Sequence, residues 1–184
     1  MQSARTQPSA LIQFDGASRG NPGRGASACV LFMGEGEGEG RAVPRVEHAR
    51  AFIHHGRVTN NEAEYMGCIG GLRLALAHGL EKGILRIEGD SKLVIEHLFG
   101  SYKCRAPNLM KYYHQALELI KRFAHVEGVW IPREKNSLAD SLCNVALNKR
   151  VSLRESMFAV TAFDVSEHLK SKFPGFDIVV ETKK

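Results

Sequence analysis

The residues from Ala49 to Gly79 read "ARAFIHHGRVTNNEAEYMGCIGGLRLALAHG", and their hydrophobic period changes part-way along. Up to Val58 the segment is rich in β-formers and reads as a strand. Beyond it, Tyr65, Ile69, Leu72, Leu76 and Leu80 recur at spacings of four and three, the stripe of a helix. Asn60 or Asn61 suits the N-cap of that helix and Gly79 its stop. A strand that runs straight into an amphipathic helix makes the chain a mixed α/β protein.

Working outward, two strands precede this joint, Leu11 to Ala17 and Ala26 to Met33, separated by a basic Gly-Asn-Pro-Gly turn. The run "GEGEGEG" (Gly34 to Gly40) forms no core, because glycine costs entropy and the glutamates repel. Gly34 to Ala49 therefore reads as a mobile acidic loop between hairpin strands. After the helix, Ile84 to Glu88 is a fourth strand and Ser91 to Phe99 a short helix. Leu109, Tyr113, Ala116, Ile120 and Phe123 stripe a helix from Asn108 to Ala124. Val126 to Ile131 is a fifth strand, and Ser137 to Lys149 the last helix. Three consecutive strands predict an antiparallel meander, and later strands alternating with helices predict parallel additions. The expected order is β-β-β-α-β-α-α-β-α around a mixed five-stranded sheet. Residues 1–10 read as a tail, 11–150 as the domain and 151–184 as an extension. In that extension "FDVSEHLKSKF" suits a helix and "FDIVVE" a strand, neither placed in the sheet.

The totals narrow the function. The 184 residues are 43 % hydrophobic and 24 % charged, as a globular domain requires, and no window is apolar enough to span a bilayer. No secretory segment opens the chain. Cys29, Cys68, Cys104 and Cys143 form no C-x-x-C pair, which argues against a zinc ribbon. Reduced core thiols at Cys29, Cys68 and Cys143 fit an intracellular protein, its compartment unspecified. A net charge of +5 suits a polyanionic partner.

Four acids fall at element junctions: Asp15 on the first strand, Glu64 at the start of the first long helix, Asp90 closing the fourth strand, and Asp140 in the first turn of the last helix. Singly, each has an ordinary structural reading. Asp15-Gly16 suits a turn, Asp90 a cap, and Glu64 and Asp140 the positive end of a helix dipole. Together at one sheet rim they would repel unless a cation sat among them. Magnesium or manganese, which prefer oxygen ligands, would remove that conflict.

In "FDGASRGNPG", "TNNEAEY", "EGDSKLVIEHL" and "IPREKNSLADSL" the sequence resembles type 1 ribonuclease H, in the variety found in archaea and some bacteria and plants. The resemblance runs from about Leu11 to Ala146 through four motifs in order. It implies hydrolysis of the RNA strand of an RNA/DNA hybrid, leaving 5′-phosphate and 3′-hydroxyl ends. It implies two magnesium ions about 3.5–4 Å apart on the scissile phosphate, with manganese as a substitute. Asp15 would bridge both ions, Glu64 and Asp90 would hold one side, and Asp140 would hold the ion bearing the nucleophile. Gly20 and Asn21 match a backbone approach to the minor groove. Asn60 and Asn61 match contacts to 2′-hydroxyls and base edges, which an amide suits because it donates and accepts. Arg57 and Thr59 match a pocket for a DNA phosphate. Lys103, Arg105 and Lys111 lie where some members carry a basic protrusion, and read equally as a solvated surface. Trp130, the single tryptophan, reads as core.

Two features depart from the family. No histidine stands between Trp130 and Asp140, where many members carry one; Arg133, Glu134 and Lys135 fill that segment. The acidic loop and the extension have no counterpart. A monomeric catalytic domain is expected, with residues 151–184 open to a protein partner. An exonuclease of related fold would need an Asp-x-Glu pair on the first strand, where this chain has Asp15-Gly16-Ala17. A transposase would carry glutamate in place of Asp140. A structural component of a ribonucleoprotein is the non-enzymatic alternative, and no acid has been lost to favour it.

Overall fold

The structure is a computed structural model that describes residues 10–33, 45–148 and 178–182. Its strands are β1 (Ala10–Gly20), β2 (Gly23–Met33), β3 (Arg45–Val58), β4 (Ile84–Gly89), β5 (His125–Trp130) and β6 (Ile178–Thr182). Its α-helices are α1 (Asn60–Ala77), α2 (Lys92–Leu98), α3 (Pro107–Ile120) and α4 (Ser137–Asn148). The sheet order is β5-β4-β1-β2-β3-β6. β1, β2 and β3 form the expected meander, and β4 and β5 add in parallel beside β1.

The five expected strands are joined by a sixth. β6 pairs in parallel with β3, Ala49 opposite Ile178 through Ile53 opposite Thr182. The β-branched run in "FDIVVE" carries the strand signal, but only tertiary contact gives it a partner. The expected N-terminal tail lies outside the described residues apart from Ala10, which is buried and opens β1. The expected acidic loop also lies outside them from residue 34 to residue 44; from Arg45 the chain is already β3, paired with Met33. The expected helix "FDVSEHLKSKF" is likewise outside.

Each face of the sheet has its own core, because strand side chains alternate. Ile12, Phe14, Cys29 and Leu31 meet Tyr65, Cys68, Ile69 and Leu72 of α1, with α2 and α3 packed outside. On the opposite face Ala26, Ala28, Val30, Ala49 and Ala51 meet Ala139, Leu142, Cys143 and Ala146 of α4. Short alanines there leave room for α4 to lie close.

α1 approaches β1 backbone to backbone. A Cβ on Gly16 would sit 2.1 Å from the Ala63 carbonyl carbon, and one on Gly67 would sit 2.5 Å from the Asp15 oxygen. Glycine at both positions permits this contact, and the contact seats Glu64 over Asp15. The cap of α1 is Thr59 rather than an asparagine. Its side chain accepts from the Glu62 amide, and the Glu62 carboxylate accepts from the Thr59 amide, a reciprocal capping box. Gly79, with φ of 70°, follows the helix end as expected.

Candidate active site

Asp15 and Asp90 meet because β1 and β4 are adjacent and parallel. Phe14 opposite Gly89 is the last pair of that ladder, so Asp15, still within β1, and Asp90, just past β4, come out at the same rim. α1 brings Glu64 to that rim. One carboxylate oxygen from each of Asp15, Glu64 and Asp90 lies within 4.8 Å of the others.

This trio is electrostatically unbalanced. Asp15 is only 5 % exposed. Burial first, then the charges of Asp90 and Asp140, push its carboxyl up to about 7, against the opposing effect of the Gly16 amide and the Cys143 thiol. Glu64 is driven well above the usual carboxylate range by burial, then by Asp15 and Asp90, with Arg133 opposing. Glu64 Oε2 is buried and has no hydrogen-bond partner. Buried polar atoms are rarely left so, because the desolvation cost goes uncompensated. A hard divalent cation fits these oxygen donors, takes up the orphaned oxygen and offsets the repulsion.

Asp140 lies outside the trio. It sits in the first turn of α4, where Arg133 Nη2 donates to its Oδ1 at 2.5 Å. Its charge nevertheless reaches Asp15. Arg133 stands in the segment where the resemblance would place a histidine.

Two further residues bear on Asp90. Trp130, expected in the core, is 49 % exposed, and its indole N–H donates to the Asp90 carbonyl at 3.1 Å. It closes edge strand β5, so only part of the ring finds cover. Asn136 is fully buried. Its amide Nδ2 donates to the Phe14 carbonyl and to Asp90 Oδ1, both at 2.8 Å. Its place four residues before Asp140, in "NSLAD", was the signal that reading the acids alone passes over.

The nucleotide-contact candidates gather at the β1–β2 turn. The ladder runs on through Ser18–Gly25 to Gly20–Gly23, so the glycine-rich segment is mostly strand and the turn itself is Asn21-Pro22. Gly20 takes φ of 88° there. Asn21 Oδ1 accepts from the Asn60 amide at 3.1 Å, and Asn60 Oδ1 accepts from the Ser18 amide at 2.8 Å. Arg57 donates to the Pro22 carbonyl at 2.9 Å. Thr59 is engaged in its capping box, and Asn61 is exposed beside Asn60. Lys103 and Arg105 are exposed between α2 and α3, and exposed Lys111 lies over the Tyr112 ring at 4.6 Å. No described helix is long and apolar enough to cross a membrane.

Residues 13–146 match the family model described as reverse transcriptase-like. The bifunctional protein Rv2228c of Mycobacterium tuberculosis is 37 % identical over 138 residues, covering 75 % of this chain and 35 % of its own length. Ribonuclease HI of Halobacterium salinarum is 36 % identical over 135 residues, 73 % of this chain and 62 % of its own. The chain thus spans about a third of the mycobacterial relative and under two thirds of the halobacterial one. The crystal structure of the Halobacterium salinarum RNase H1 superposes with a TM-score of 0.66 at 34 % identity, over 74 % of this chain and 96 % of that one. The structure of LC11-RNase H1 in complex with an RNA/DNA hybrid superposes at 0.66 and 29 % identity, over 78 % and 99 %. With a family match across most of its length, the chain belongs to the reverse transcriptase-like family, and its fold is that of the type 1 ribonuclease H structures it resembles.

Proposed function

We propose that the chain is a divalent-metal-dependent endonuclease that hydrolyses the RNA strand of RNA/DNA hybrids and leaves 5′-phosphate and 3′-hydroxyl ends. The observation that carries this reading is the convergence of Asp15, Glu64 and Asp90 with a buried glutamate oxygen that has no partner. The hybrid-bound LC11 relative supports the substrate class.

Magnesium or manganese, when bound, would place positive charge at the scissile phosphate and lower the pKa of a water. Asp15, Glu64 and Asp90 are the residues that would hold it. Asp140 adds negative charge from α4, with Arg133 beside it. The chain's other contribution is placement. Asn21 and Asn60, tied together at the β1–β2 turn, present polar groups to the minor groove, where an amide distinguishes a 2′-hydroxyl. Arg57, with Thr59 beside it, offers a cation for a phosphate of the DNA strand. Lys103 and Arg105 extend the basic surface.

The test is cleavage of a fluorescent RNA/DNA hybrid with magnesium, beside Asp15→Asn. The parent cuts and the variant is at least about a thousandfold slower, a loss of the size that removing a main stabilising group gives. End-group mapping returns 5′-phosphates. A parent that binds the hybrid yet leaves it intact would make the domain a binding component of a larger assembly.

A further inference from the structure

We infer that Asn136 is a positioning residue that holds three of the four acids in register. The inference rests on the nuclease reading above. The Asn136 side chain is fully buried, and both Nδ2 hydrogens are committed, one to the Phe14 carbonyl and one to Asp90 Oδ1. Its backbone carbonyl accepts from the Asp140 amide at 3.0 Å. One residue therefore ties the middle of the strand that carries Asp15, the side chain of Asp90 and the first turn of the helix that carries Asp140.

The orientation of the amide is forced. Both of its near partners are acceptors, so only the nitrogen can face them. The price is visible on the other side, where Asn136 Oδ1 is buried with no partner. Trp130 completes the restraint by holding the Asp90 main chain through its carbonyl. Asp90 is thus fixed in backbone and side chain from β5 and the start of α4, beside Asp15 and Glu64.

The test compares the parent with Asn136→Ala and Asn136→Leu, the second keeping the branched shape without a donor. Each is measured by circular dichroism, by calorimetric titration with magnesium alone, and by steady-state cleavage. Both variants should melt cooperatively, bind magnesium about 10–100-fold more weakly and lose kcat in proportion, as removal of an orienting partner does, while KM for the hybrid holds. Parent-like magnesium affinity in either folded variant overturns the assignment even if the parent cuts hybrid. Two variants that fail to fold also overturn it, because Asn136 is then a folding residue. A parent that binds magnesium without cutting hybrid, beside variants that bind it weakly, sinks the nuclease reading and leaves the positioning role standing.

Discussion

The fold resists the ionisation of Asp15. Its carboxyl titrates near 7 in the folded chain, against an ordinary value of 3.8. A carboxyl raised in this way favours the folded state at low pH, where both forms carry the proton. The advantage is lost as pH rises from about 4 through about 7, because the unfolded chain ionises freely and the folded one does not. Glu64 shifts in the same direction. Without metal, the melting temperature should therefore fall as pH is raised across that window. Asp15→Asn should lose much of the slope and be more stable than the parent at pH 8 by about 1–3 kcal/mol. Magnesium should raise the parent's melting temperature more at pH 8 than at pH 5. A metal-free parent whose stability stays level from pH 4 to pH 8 would show that the carboxylates are not crowded. At this scale the acids were legible because each stands at an element junction in the chain. Asn136 was passed over, because its importance comes from a carbonyl 122 residues away.

Elements were legible where their period was strong. The stripe from Tyr65 to Leu76 gave α1, and the apolar run from Ala26 to Met33 lies within β2, a strand buried on both faces. Boundaries followed less well for identifiable reasons. Glycines at 20, 23 and 25 looked like loop, yet the β1–β2 ladder continues through them. Asn60 and Asn61 looked like caps, yet Thr59 with Glu62 three residues on makes the reciprocal pair that an isolated asparagine lacks. This leaves the Asn60 side chain for β1, where Ser18 binds it. The close seat of α1 on β1 is also an element-scale property, and Gly67→Ala tests it. The added methyl would lie 2.5 Å from the Asp15 oxygen and 3.0 Å from the Ala28 oxygen, both backbone atoms. The helix must lift, at a cost of about 1–3 kcal/mol. Because Glu64 rides on the same helix, cleavage should fall with stability. A variant that melts and cuts like the parent would mean that helix and strand do not touch there.

Across the whole molecule, charge is sorted by place. The acids converge at the rim where the pairing of β1 with β4 ends, while the exposed cations Arg57, Lys103, Arg105 and Lys111 lie on other elements. The chain carries +5 overall despite that acidic rim. Under the proposed function, such an arrangement would draw a polyanion through its backbone phosphates and leave cation-dependent chemistry to the rim. The sequence disclosed the sum of the charges but not this sorting, because Arg57 lies next to the end of β3 whereas Lys103 and Arg105 lie beyond α2, and only the packed helices place them. Binding through these residues releases counterions, so affinity must fall with salt. With Asp15→Asn as a non-cutting parent, hybrid affinity should drop by about one to two orders of magnitude between about 50 and 200 mM salt, if three or four phosphates are neutralised. Adding Arg57→Ala should lower the logarithmic slope by about one unit, and adding Lys103→Ala with Arg105→Ala by about two. The two effects should add, since the residues sit on separate elements. A slope unchanged by the Lys103 and Arg105 pair would return that segment to plain solvated surface, and one unchanged by Arg57→Ala would restrict that arginine to its bond with the Pro22 carbonyl.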